Sequence, residues 1–135
     1  MKAKKEWIDL AKDNLSKAYV PYSHFPVSAV LVTEEGEVVT GVNIENASYG
    51  LTNCAERTAI FKAVSEGHRH FNHLVVAGNT KEAISPCGAC RQVMAEFFAP
   101  DTPITLVGKD DAIKEMTLEE LLPYYFTDKQ MEEAK

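Results

Sequence analysis

A three-layer α/β/α fold with a central mixed β-sheet is the architecture this sequence predicts, on three observations. Apolar residues recur at helical spacing in three separate segments, and short Val- and Ile-rich runs lie between them. The resulting order, helix, strand, strand, helix, strand, helix, strand, helix, supplies enough helix to cover both faces of one sheet. With 135 residues, 45% hydrophobic and 25% charged, the chain suits a single domain over residues 1–135. A domain of that size buries about two thirds of its unfolded surface without staples. No repeat, low-complexity stretch or linker interrupts it.

Each element has a local reason. Residues 4–19 place Ile8, Ala11, Leu15, Ala18 and Tyr19 on one helical face, and Pro21 stops that helix. The runs 27–33 (VSAVLVT) and 37–45 (EVVTGVNIE) are rich in Val and Ile, and Glu34, Glu35 and Gly36 between them suit a hairpin. Residues 54–67 repeat Ala55, Ala59, Ile60, Ala63 and Val64 helically, with Gly67 as terminator. LVVA at 74–77 reads as a buried strand, 88–98 as a helix ending near Pro100, and ITLV at 104–107 as a further strand. TLEE from Thr117 matches a capping box and opens a short last helix.

Composition excludes several roles. A net charge of -6 with scattered basic residues offers no cationic face for phosphate contacts, so no nucleic-acid partner is expected. No run approaches a membrane span. Asp9, Lys12 and Asp13 break the apolar stretch a signal peptide needs. Three cysteines without such a signal indicate a reducing, cytoplasmic location, and an odd number leaves one unpaired in any disulfide scheme.

The chemistry gathers on those cysteines. Cys54 begins the second helix, and Cys87 and Cys90, in PCGAC, begin the third, so two helix N-termini can converge. Helix N-termini favour thiolates. Three thiolates suit one Zn2+ per subunit, and a set of three leaves the fourth tetrahedral position for water, the pattern of catalytic rather than structural zinc. Glu56, two residues after Cys54, reaches such a metal only if it sits beyond the helix end; there it can move protons between water and a substrate. Alone in a first turn, a Glu would merely complement the helix dipole. Three thiolates leave the centre negative, and Arg57 is the residue placed to donate to a sulfur, with Arg91 open between that role and the surface. The histidines at 24, 68, 70 and 73 read as surface or capping groups.

CAE at 54–56 with PCGAC at 86–90 resembles the zinc-dependent cytidine deaminase superfamily. FPVSAVL (25–31), GVNIENASYGLTNCAERTAI (41–60) and SPCGACRQV (85–93) resemble its short, three-cysteine nucleoside deaminases. The resemblance implies a cytidine deaminase-like fold and hydrolysis of cytidine and deoxycytidine to the uridine nucleosides with release of ammonia, in pyrimidine salvage. It also implies a homotetramer whose pockets are completed by neighbouring subunits. Residue by residue, it makes Cys54, Cys87 and Cys90 the zinc ligands and Glu56 the proton shuttle. Backbone at Ala55 holds the base carbonyl, the Ser85 carbonyl receives the departing amine, and Phe25 packs on the pyrimidine. Asn43 and Glu45 bind ribose hydroxyls. Their i, i+2 spacing on a strand independently puts them on one side, with Val42 and Ile44 turned to the core. Phe126 corresponds to an aromatic closing a neighbour's pocket, with Tyr125 as the alternative.

Three other readings compete. A structural zinc module needs a fourth ligand, and no cysteine remains. A thiol oxidoreductase using CGAC leaves Cys54 and Glu56 unexplained. A deaminase of blasticidin-type antibiotics shares CAE and PCxxC, so the case for cytidine rests on Phe25, Asn43 and Glu45.

Overall fold

In the computed structural model, which describes residues 2–135, the chain runs through α1 (Lys5–Asp13), β1 (Val27–Thr33), β2 (Val38–Val42), α2 (Ala55–Ser65) and β3 (Phe71–Gly78). It continues through α3 (Gly88–Phe97), β4 (Pro103–Val107), β5 (Ile113–Thr117), α4 (Leu118–Leu121) and α5 (Asp128–Glu133). The strands form one sheet in the order β2-β1-β3-β4-β5. β1 is antiparallel to both neighbours, β3 and β4 are parallel, and β5 returns antiparallel to β4, so the sheet is mixed. A parallel step needs a crossover, and α3 supplies it.

The central strands are buried on both faces, which is why they read as unbroken apolar runs. Ala29, Leu31, Leu74, Val76, Ile104 and Leu106 pack with α2, α3 and α4 in one core cluster. The alternate positions Val30, Val75, Ala77 and Val107 pack with Ala11 of α1, flanked by Trp7, Ile8 and Leu10. Three layers result: α1, the sheet, and the layer containing α2 and α3. Because α2 and α3 lie on the same face, their N-termini can meet.

Geometry requires glycine at positions 36 and 41. Gly36 turns the hairpin at φ 89°, a conformation costly for other residues. Gly41 lets α2 sit directly on β2: a Cβ there would lie 2.5 Å from the Ala59 nitrogen and 2.6 Å from the Ala55 carbonyl oxygen.

Several elements depart from the pattern read in the sequence. The helix expected over 4–19 ends at Asp13 and passes into a 3-10 turn over Asn14–Lys17. Tyr19 then leaves helical geometry, its N–H donating to the Asn43 carbonyl at 3.0 Å. β2 stops at Val42 rather than Glu45, because the chain there turns from β1 to pair with Tyr19 and Asn53. The expected inward orientation of Ile44 is therefore wrong: Ile44 is 46% exposed and Asn43 is the buried residue. β3 is longer than the 74–77 run, and β5 and α5 were not anticipated. His73 is not a surface or capping group but is fully buried on β3 beneath Trp7, its Nε2 2.7 Å from Thr105 Oγ1.

Candidate active site and metal centre

Cys54 is the N-cap residue of α2 and Cys87 that of α3, both with extended backbone, and Cys90 lies in the first turn of α3. The helix ends thus bring the three sulfurs together, all within 4.8 Å of one another. Cys54 and Cys87 Sγ are 3.9 Å apart, Cys87 and Cys90 Sγ 3.4 Å. A tetrahedral zinc with bonds of about 2.3 Å needs sulfurs about 3.8 Å apart. The donor set and its spacing fit one Zn2+ per chain. Among the described residues, no histidine or carboxylate joins the three sulfurs within that span.

The cluster polarises its own thiols. Cys54 is drawn down to about 5, first by the hydrogen bond from Cys90 and then by Arg57. Cys90, as the donor, is held above its usual range. Arg57 Nη2 donates to Cys54 Sγ at 3.2 Å, and the sulfur in turn holds the guanidinium charged. Arg91, left open by the sequence, turns away from the sulfurs. Its Nε donates to the Pro86 carbonyl at 2.9 Å, Nη1 to the Leu121 carbonyl at 2.6 Å and Nη2 to Ser85 Oγ at 2.8 Å.

A cleft of about 210 Å3 opens over the sulfurs. Phe25, Asn43, Cys54, Ala55, Glu56, Ser85 and Cys87 all line it, together with Val27, Thr52 and Ile84. Glu56, in the first turn of α2, is only 4% exposed. Burial, followed by the negative charge of Cys54, raises its pKa above the usual carboxylate range.

Asn43 and Glu45 part company here. Asn43 accepts from Val27 N–H at 2.9 Å and donates to the Phe25 carbonyl at 2.8 Å, so its amide braces the backbone on both sides of Pro26. Glu45 lines the adjoining pocket with Tyr22, Ser23 and Tyr49, and Thr52 borders both cavities. Its Oε1 accepts from the Tyr22 and Ser23 N–H groups at 3.0 and 3.1 Å, and Ser23 Oγ donates to Oε2. Those bonds, led by the Ser23 hydroxyl, lower the Glu45 pKa. Ser23 and Tyr22 gave no sequence signal; only their proximity to Glu45 reveals them.

Phe126 does not line the cleft of its own chain. It is 57% exposed, and its carbonyl accepts from Gln92 Nε2 at 3.1 Å. Tyr125 packs against the larger core cluster. The histidines stand apart from the sulfurs: His68 faces Glu35 and Glu37 on the hairpin at 3.6 and 3.2 Å, and His73 lies on the sheet face covered by α1.

Comparison with known proteins agrees with this centre. A family model described as the cytidine and deoxycytidylate deaminase zinc-binding region matches residues 1–105. The chain is 56% identical over 114 residues to a cytidine deaminase of Halalkalibacterium halodurans, covering 84% of this chain and 86% of that one. The crystal structure of a cytidine deaminase from Burkholderia pseudomallei superposes with a TM-score of 0.89 at 46% identity, covering 93% of this chain and 100% of that one. At lower identity, 31% over 130 residues, stands a blasticidin-S deaminase of Bacillus cereus, with 90% of this chain and 91% of that one covered. A match over most of the chain and relatives of such identity place the protein plainly: it belongs to the cytidine and deoxycytidylate deaminase family.

Proposed function

We propose that the protein hydrolyses cytidine and deoxycytidine to uridine and deoxyuridine, releasing ammonia, in cytoplasmic pyrimidine salvage. One observation carries the reading: three sulfurs gathered at two helix N-termini, at the base of a cleft that also holds a buried carboxylate, Glu56. Zinc held by Cys54, Cys87 and Cys90 supplies Lewis-acid activation of water near neutral pH.

The chain's own residues carry the rest. Glu56 takes a proton from the attacking water, delivers it to the ring nitrogen, and moves the second proton to the amino group as it leaves. The carboxylate ends the cycle as it began. Ala55 at the start of α2 holds the base carbonyl through its backbone N–H. The Ser85 carbonyl receives the departing amine. Phe25, at the cleft wall, packs on the pyrimidine ring. Asn43 and Glu45 bind the ribose hydroxyls, Asn43 from the cleft itself and Glu45 from the pocket beside it. Arg57 offsets the charge of the thiolates through Cys54.

A homotetramer with shared pockets fits the surface around the cleft. Its volume of about 210 Å3 lies under the range of about 300–1,000 Å3 usual for small-molecule sites, so a further wall is expected. Tyr22 and Tyr49 meet edge-on at 6.4 Å and are exposed, as are Tyr19 and Ile44, which bridge one another. Phe126 is free to reach a neighbour, because Tyr125 is engaged in its own core. No membrane partner is included; among the described residues no helix is long and apolar enough to cross a membrane.

The test follows loss of absorbance with cytidine, deoxycytidine, CMP, cytosine, adenosine and blasticidin S in parallel, with zinc measured on the same sample. Turnover of the two nucleosides with about one zinc per chain is expected. Turnover of blasticidin S alone would sink the assignment to cytidine.

A further inference from the structure

We propose that Arg91 is a positioning residue for the departing amine, holding the Ser85–Pro86 segment so that the Ser85 carbonyl meets the leaving group; this rests on the deaminase reading above. The Ser85–Pro86 peptide has no N–H, because Pro86 is an imino acid. Its plane cannot be fixed through a donor of its own, so its orientation must be set from outside.

Arg91 sets it from both sides. One guanidinium arm, Nη2, donates to Ser85 Oγ at 2.8 Å, and Nε donates to the next carbonyl along, that of Pro86, at 2.9 Å. The two bonds bracket the peptide whose oxygen belongs to Ser85. The third, Nη1 to the Leu121 carbonyl at 2.6 Å, ties the guanidinium to the end of α4, whose Leu118 and Leu121 are buried in the core. A planar fork with several fixed donors can hold three acceptors at once, whereas a lysine ammonium on the same stem is a point donor. Arg91 follows directly on Cys90, so the clamp is referenced to the helix that carries two of the sulfurs. It touches neither the sulfurs nor the cleft, and acts only through the Ser85–Pro86 segment.

Kinetics with two leaving groups test this. The second substrate is the cytidine analogue with chlorine in place of the amino group at the same ring carbon, which yields uridine and chloride. Chloride has no N–H for the Ser85 carbonyl to accept. Wild type, Arg91→Ala, Arg91→Lys and Ser85→Ala are compared on both substrates, with zinc content recorded.

Misplacing a group by about 1 Å can cost about a hundredfold, so Arg91→Ala is expected to lower kcat on cytidine by about 10- to 100-fold. KM should stay within about threefold and zinc at about one per chain, with the analogue slowed by less than about threefold. Arg91→Lys should fall between, and Ser85→Ala, which removes one leg, should show a smaller loss with the same split. Equal losses on both substrates, or a change confined to KM, would overturn the role of Arg91. If Arg91→Ala fails to fold, the ratio of losses in Arg91→Lys decides. Wild type inactive on cytidine would overturn the deaminase reading and this inference with it.

Discussion

Ile44 and Asn53 exchange both backbone hydrogen bonds, each N–H reaching the other's carbonyl at 2.9 Å. This bridge latches the residue before Cys54 to the residue between Asn43 and Glu45. Asn53 also donates from its side chain to Thr58 Oγ1 at 3.0 Å, and Thr58 donates to the Cys54 carbonyl at 3.1 Å. The Asn43–Glu45 segment and the sulfur cluster are thereby held at a fixed separation, which is what a nucleoside spanning the two would need for its base to meet the reacting centre in one pose.

Glu56→Gln keeps the shape of the side chain and removes its ability to carry protons. Zinc content and Tm should stay near wild type while kcat falls by about 10²- to 10⁴-fold, the usual worth of general acid-base help. Near-normal turnover by this variant would reduce Glu56 to a charge at a helix end.

Gly41→Ala tests how α2 is seated. The added carbon would meet backbone of Ala55 and Ala59 rather than a flexible side chain, so α2 must shift and carry Cys54 and Glu56 with it. Overpacking of this kind costs about 1–3 kcal/mol. Thermal melts should show a lower Tm, and zinc retained after dialysis should fall; an unchanged Tm would mean the helix has slack at this contact.

Arg57→Ala removes the hydrogen bond to Cys54 Sγ and leaves the thiolate charge less compensated. Metal affinity or activity should drop by about 10- to 100-fold, as for other partners of metal ligands. Chelator titration with free-thiol counting reads this directly: the variant should expose its three cysteines at lower chelator concentration than wild type. Identical titrations would return Arg57 to the surface.

How much of this was legible in the sequence depends on how local each signal is. Cys54, Glu56, Cys87 and Cys90 are readable because each sits at a helix start, where short-range spacing determines what the side chain can reach. β5 was invisible because Lys114 and Glu115 are exposed and Ile113 is 46% exposed; as an edge strand it is defined by its pairing with β4, not by its own pattern. The turning of Ile44 outward depends on Tyr19 and Asn53, neither of which is on the neighbouring strand. Arg91 was ambiguous for the same reason, since one of its acceptors, Leu121, lies 30 residues on.

His73 predicts a pH dependence of stability. Thr105 Oγ1 donates to Glu115 Oε2 at 2.5 Å and so accepts from His73 Nε2, leaving Nδ1 buried beneath Trp7, on which Lys4 also rests, and without a partner among the described residues. Burial lowers the His73 pKa below 6.5, with Glu115 opposing. The unfolded chain then binds the proton more readily, so this contribution to stability is complete above pH 6.5 and lost as pH falls from 6.5 towards the lower folded value. The chain's single tryptophan, Trp7, 5.3 Å from the imidazole, offers the fluorescence readout. Tm should decline on acidification below about pH 6.5, and His73→Phe should flatten that dependence. An unflattened decline would assign the effect to other groups.

Glu45→Ala tests the substrate rather than the metal chemistry, and the structure sharpens what it should do. The carboxylate holds the Tyr22–Ser23 backbone, and Phe25 N–H donates to Ser23 Oγ at 3.0 Å, so Glu45 supports the loop that presents Phe25 as well as lining the pocket proposed for the sugar. Removing it should lower kcat/KM on cytidine by about tenfold or more, since hydrogen bonds to charged groups are among the stronger ones. Free cytosine, poor for the wild type, lacks the ribose and should lose less, by the loosening of Phe25 alone. Ser23→Ala separates the two contributions: it frees Glu45 Oε2 and cuts the tie to Phe25 while leaving the carboxylate for the sugar, so its loss should be similar on cytidine and cytosine. A lowered Glu45 pKa keeps the group ionised through neutral pH, so the cytidine preference should persist there and weaken only as acid protonates the carboxylate. If Glu45→Ala leaves the cytidine rate intact, or costs cytosine as much as cytidine, the ribose contact is refuted even where the deaminase chemistry stands.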